Sequence, residues 1–282
     1  MLPSTRGAPG RRRLAAVLCV LVAGALALAG CSKDLDPTDD PSQVDAITPP
    51  AVGACRLLTP EQVGRADNAT RTVACTKKHT AETYAAGELP KELDDASYSG
   101  REVALASYKL CSKAFSKHLG ADDSMVMRTV LSWAWFRPST KAWEDGARWY
   151  RCDLIGGGGQ ALTEGAQSYF PLPAVTKGLL RGIKPSDDWM VCANGRTVRQ
   201  SPKVPCSDKH TWRAVTTIKL GEDKDPYPGD HTALIKTRDF CRSSVQAWLG
   251  YPISFQFGFT WFHEAEWEAG NRRSICWART EH

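Results

Sequence analysis

Two histidines stand where their neighbours give them chemistry. His79 follows a cysteine in Cys75-Thr-Lys-Lys-His79, and His210 follows one in Cys206-Ser-Asp-Lys-His210. A cysteine and a histidine four residues apart have a spacing that serves zinc. Each copy offers only one well-placed histidine, however, and oxidised cysteines cannot ligate. The preferred reading is an imidazole hydrogen-bonded to backbone, fixing the turn after the cysteine, with ligand binding as the functional alternative. No metal and no cofactor is assigned. Trp143 and Trp267 fall in the turn expected between the last two strands of each copy. Exposed, they would stack on sugars or peptides; buried, they would roof a small core with Arg148 and Arg272 stacked on them. The needs of a small core favour the second reading. Glu264, Glu266 and Glu268 cluster near Trp267, but the first copy has Ser139, Lys141 and Glu144 nearby, so a solvated turn is expected. Gly-x-Ser-x-Gly and His-Glu-x-x-His are absent, and Gly156 to Gly159 lead into no Lys-Ser/Thr. No nucleophile or phosphate cradle is therefore legible, and a non-catalytic protein is expected.

The elements that position these residues begin well into the chain of 282 residues. Arg11-Arg12-Arg13, the apolar run Leu14 to Leu28 and Leu28-Ala29-Gly30-Cys31 stand in the order of a signal peptide. The last four residues resemble a bacterial lipobox, which implies cleavage after residue 30 and a diacylglyceryl group on Cys31. The chain would then sit, lipid-anchored, at the extracytoplasmic face of the cytoplasmic membrane. Arg6, Arg11, Arg12 and Arg13 would leave with residues 1–30, so 32 basic residues face 31 acidic ones and nothing suggests nucleic acid. Residues 31–50, rich in aspartate and proline, read as a disordered tether.

The remainder is duplicated. Leu-Gly follows the third cysteine of each copy at the same distance, as Leu119-Gly120 after Cys111 and Leu249-Gly250 after Cys241. Trp143, Gly146, Arg148 and Cys152 are matched step for step by Trp267, Gly270, Arg272 and Cys276. Residues 51–155 and 187–282 are the expected domains, joined by a loose linker over 156–186. Ala104, Tyr108, Cys111, Phe115 and Leu119 share a helical stripe, as do Leu234, Thr237, Cys241, Val245 and Trp248. Met127 to Trp135 and Ile253 to Trp261 alternate as strands. The fold class is α+β: two homologous small domains, each a short antiparallel sheet with one packed helix, stapled by two disulfides.

Eight cysteines remain once Cys19 and Cys31 are set aside, an even number suited to disulfides. Each third cysteine lies on a helical stripe and each fourth on the strand that stripe should cover. That argues for Cys111–Cys152 and Cys241–Cys276, leaving Cys55–Cys75 and Cys192–Cys206 to close short loops.

Gly53-Ala-Cys55, Cys75, His79, Glu82 and Tyr84, with Val204-Pro-Cys206 and His210 in the second copy, resemble the septum-formation domain family of actinobacterial envelope proteins. The second copy departs from the pattern, carrying Arg213 where the family has glutamate. The resemblance implies two tandem family domains and an extracytoplasmic role in cell division or envelope growth, without established catalytic activity. His79, Glu82, His210, Trp143 and Trp267 are the candidate binding residues, and envelope or division proteins the expected partners. The alternative is a carrier or enzyme holding a cell-wall or lipid ligand in a cleft between the domains.

Overall fold

The computed structural model describes residues 38–157, 169–182 and 184–280. Cys31 and the signal-peptide region lie outside the described residues. The first half contains α1 (Ser42–Asp45), β1 (Cys55–Arg56), α2 (Pro60–Val63), β2 (Thr72–Val73), β3 (Ala81–Glu88), α3 (Arg101–Leu119), α4 (Asp123–Val126), β4 (Ser132–Phe136), α5 (Thr140–Glu144) and β5 (Trp149–Ile155). The second contains β6 (Val191–Ala193), β7 (Lys203–Pro205), β8 (Trp212–Lys219), α6 (Asp230–Trp248), β9 (Phe257–Thr260), α7 (Glu264–Glu268) and β10 (Arg273–Arg279). The strand orders, β2-β1-β3-β5-β4 and β7-β6-β8-β10-β9, are the same topology twice, and every pairing is antiparallel. The protein is α+β.

One long helix packs on one face of each sheet. Every fourth residue of α3 from Val103 to Leu119 is buried, as is every fourth residue of α6 from Ala233 to Val245. At their first turns these stripes run one residue ahead of Ala104 and Leu234. Ala104 and Tyr108 stand one step round the helix, and Tyr108 instead meets Trp133 with ring centroids 5.0 Å apart. Trp248 is 50% exposed, outside the stripe that was to include it. The bridges Cys111–Cys152 and Cys241–Cys276 clamp helix to sheet, while Cys55–Cys75 and Cys192–Cys206 close the first hairpins. The expected strands from Met127 and Ile253 begin later, at Ser132 and Phe257. In the first half α4 takes up the preceding residues, because Asp122 caps it by accepting from the Met125 amide at 2.7 Å.

The other sheet face distinguishes the halves. In the first it buries charge. Arg56, Arg151 and Asp153 are each at most 1% exposed, and Asp153 Oδ2 lies 3.2 Å from Arg151 and 3.7 Å from Arg56. Thr83 accepts from Arg56 at 2.8 Å and donates to Asp153 at 2.7 Å. Arg151 also donates to Asn68 and stacks 4.5 Å above Phe136. Burial lowers the Arg151 guanidinium to about 10, which leaves it cationic at neutral pH. In the second half Ala193, Ala214, Ile275 and Trp277 hold the corresponding positions and join an apolar cluster with Val191, Val198 and Trp212.

Residues 38–50 cover the charged face, contrary to the expectation of a disordered tether. Gln43 accepts from Arg56 at 3.1 Å, Val44 is buried, and the Ala46 carbonyl accepts the Trp149 indole N–H at 2.8 Å. The described aspartates of the segment have partners. Asp39 pairs with Arg65, Asp40 accepts from Ser42, and Asp45 accepts the Ser139 hydroxyl at 2.6 Å. The linker is not loose where it is described either. Tyr169, Leu172, Thr176 and Leu180 are buried, and the Leu172 amide donates to the His79 carbonyl at 2.9 Å.

The described residues belong to one compact unit. The stretch after α4 crosses to the second half. Val130 donates to the Trp189 carbonyl, Val191 donates to that of Arg128, and the Val130 side chain enters the apolar cluster on the far face of the second sheet. Arg128 also reaches the Val215 carbonyl at 3.0 Å, and Arg101 pairs with Glu268 at 2.9 Å.

Asp153→Asn leaves two buried guanidiniums without a counter-charge. It is expected to cost about 3–5 kcal/mol in denaturant unfolding with little change in the slope. A loss below about 1 kcal/mol would show that the buried charges do not depend on this carboxylate.

Candidate functional site

Strand β3 presents the first-half motif. Its alternation sends Thr83 to the charged face, and Glu82 and Tyr84 toward α3. Tyr84 is locked there, its hydroxyl donating to the Cys111 carbonyl at 2.9 Å and its ring 5.5 Å from Phe115. Burial raises its phenol well above the ordinary range. Glu82 meets two residues that spacing did not mark. The Thr176 hydroxyl, fully buried, donates to Glu82 Oε2 at 2.6 Å. His118 Nε2 lies 2.7 Å from the same hydroxyl oxygen and 4.0 Å from Glu82. With the hydroxyl proton committed to the carboxylate, Nε2–H must be the donor to Thr176. Burial is the main influence on His118 and lowers it below the ordinary imidazole range; Glu82 opposes the shift and Lys177 adds to it. A carboxylate, a hydroxyl and an imidazole are thus joined at the end of α3, with Gly178 and Leu180 donating to the His118 and Leu119 carbonyls. The proton order points the hydroxyl at the carboxylate, so His118 orients Thr176 and does not deprotonate it.

The second half reverses the charge at the same register. Cys55 pairs with Glu82 across the first sheet, and Cys192 with Arg213 across the second. Arg213 donates to Asp187, whose carboxyl is held below the usual range chiefly by that hydrogen bond. Asp187, Ser207, Lys209, His210 and Arg213 border a groove of about 240 Å³. A larger one of about 420 Å³ lies between the start of α3 and β4, bordered by Arg65, Gly100, Ala104, Trp135 and Arg137.

The two motif histidines hold turns. His79 Nδ1 lies 2.8 Å from the Lys77 carbonyl, and His210 Nδ1 lies 2.8 Å from that of Asp208. Both rings are almost wholly buried, and the neighbouring Cys75 and Cys206 are spent in disulfides. Among the described residues no three His, Cys, Asp or Glu side chains gather as a metal site. Trp143 and Trp267 are 6% and 4% exposed, which excludes ligand stacking on open rings. They sit in α5 and α7, not in simple turns, under Arg148 and Arg272 at 4.1 and 3.9 Å from the ring centroids. Each arginine also donates to the carbonyl of its tryptophan, so one side chain closes the short helix and caps the ring. The acidic cluster is likewise engaged: Glu266 accepts the His263 amide at the start of α7, and Glu268 pairs with Arg101.

His118 and Thr176 were missed because neither carries a local signal. A histidine in the last turn of a helix reads as a complement to the helix dipole, and Thr176 lies in the linker. Their meeting is a product of tertiary structure.

A family model described as septum formation matches residues 52–276, spanning both halves in a single match. No curated protein and no solved structure matches the chain.

The depressed imidazole sets a direction for acid sensitivity. Native His118 binds its proton less readily than the unfolded chain does, so its contribution to stability falls as pH drops through the unfolded imidazole range near 6.5. His118→Gln should lose less stability than the parent between about pH 7.5 and 5. Proton NMR should show His118 titrating below an exposed histidine; titration at or above one would contradict the burial argument.

Proposed function

The chain belongs to the septum-formation family, and from that premise we propose that it is a lipid-anchored binding or scaffold module of the cell envelope. It acts outside the cytoplasmic membrane, without turnover, through surfaces that hold envelope or division proteins. The duplicated halves are two tandem forms of one ancestral domain. The observation that carries this reading is the use made of the residues with chemical character. Both motif imidazoles bind turn carbonyls, both tryptophans are capped by arginine, and Glu82 is held by Thr176. Four disulfides suit an oxidising compartment, and no helix among the described residues is long and apolar enough to cross a membrane. Anchoring is assigned to Cys31 from the lipobox order Leu28-Ala29-Gly30-Cys31. Two halves with one topology and different surface charge suit the holding of two different partners.

Cys31→Ala should move the chain from the membrane fraction to the soluble exported fraction. Crosslinking the parent in intact cells should recover division or wall-synthesis proteins in near-stoichiometric amounts. Recovery of a glycan or lipid turned over by the purified chain would replace the scaffold reading with an enzymatic one.

A further inference from the structure

The two long helices end alike. Ala121 donates to the Ser116 carbonyl and Tyr251 to that of Gln246, around Gly120 at φ 74° and Gly250 at φ 82°. Such an end leaves the final carbonyls for outside donors. In the first half those donors come from the linker. Gly178 donates to the His118 carbonyl at 2.7 Å and Leu180 to that of Leu119 at 3.0 Å. Thr176 ties the strap to His118 and Glu82, and the Arg181 side chain lies so close over Gly120 that a Cβ there would stand 2.6 Å from its Cγ.

Among the described residues nothing covers the matching corner of the second half in this way. Among the described residues no backbone N–H reaches the Trp248 or Leu249 carbonyl. Trp248, Tyr251 and Ile253, 50%, 74% and 105% exposed, stand within six residues of one another. Tyr251 is the one non-glycine residue described with positive φ, at 61°, a conformation an L side chain adopts at a cost. The charges differ in the same sense. The last turn of α3 has Lys117 and His118, and its strap adds Lys177 and Arg181; the last turn of α6 has no basic residue. The α6 helix thus supplies no basic side chain to the negative end of its own dipole, and exposed apolar side chains stand at and just beyond that end.

We propose that this corner is the docking site for an extended peptide segment of a partner protein. The segment donates two backbone N–H groups to the Trp248 and Leu249 carbonyls, as Gly178 and Leu180 do to their counterparts. It lays apolar side chains against Trp248, Tyr251 and Ile253, and places a lysine or arginine at the helix end. The first half shows the geometry already occupied in cis. The proposal rests on the binding-module reading and gives it a surface, while its test uses peptides alone, so that failure to recover envelope proteins and failure of the corner are separate results.

The test is selection of displayed random decapeptides on the full-length chain, followed by affinity measurement against Trp248→Ser/Ile253→Ser. Both positions are exposed, so an unchanged circular dichroism spectrum is expected. Enriched peptides should combine apolar residues with a lysine or arginine and weaken roughly ten-fold or more on the double variant, with a similar loss when their two donor amides are N-methylated. No enrichment, or equal binding to both chains, overturns the proposal. So does a double variant that loses only co-sedimentation with phosphatidylglycerol vesicles, which makes the corner a lipid contact. Loss of self-association alone makes it a contact between copies and overturns it equally.

Discussion

The Arg56–Asp153–Arg151 group dictates much of what surrounds it. Two guanidiniums and one carboxylate, taken out of water, require every remaining donor to find an acceptor. Thr83, Asn68, the Thr70 carbonyl and Gln43 accept most of those donors from three separate stretches of chain, and Arg151 Nε is left without an acceptor among the described residues. A sheet face with this chemistry cannot be roofed by an apolar helix. It is covered by residues 38–50, a polar segment whose own aspartates pair with neighbouring side chains. The amino-terminal stretch is part of the first half because the buried charges need it.

The second half shows the same backbone without that requirement. Where Arg56, Thr83, Arg151 and Asp153 stand in one sheet, Ala193, Ala214, Ile275 and Trp277 stand in the other. The cover changes accordingly, and Val130 from the first half joins the apolar cluster there. One topology with exchanged chemistry gives the two halves different surfaces. The pair at the motif register, Glu82 and Arg213, differs in the same way, one tied to the linker and the other to Asp187.

Much of the scaffold was legible because its signals are local. The long helices followed from four-residue spacing and a terminal glycine, and the cysteine pairs from their places on stripe and strand. The stripes were misread at their first turns because alanine, tyrosine and leucine look more core-like than the Ser107 and Thr237 actually buried. Trp248 was misplaced for the same reason: its size suggested burial, but the residue that would cover it is supplied in the first half by a linker without counterpart among the described residues. The tether and linker were misread because composition reports what a segment could bury alone, not what a charged sheet face asks of it. Glu82 was visible through its motif, whereas Thr176 and His118, brought to it from 94 and 36 residues away, were not.

The crossing at Arg128–Val130 bears on the order in which this protein can be made. Each disulfide joins cysteines 14 to 41 residues apart, so oxidation stays within a half. Completion of the cores does not. The first half lacks Leu172 and Leu180 from its helix-side core until the linker has been delivered, and the second half needs Val130 already in place. Synthesis from the amino terminus delivers these parts in a usable sequence, with the first half serving as the template on which the second closes. A circular permutant that placed the second half first would contain every contact of the native fold and lose that order of assembly.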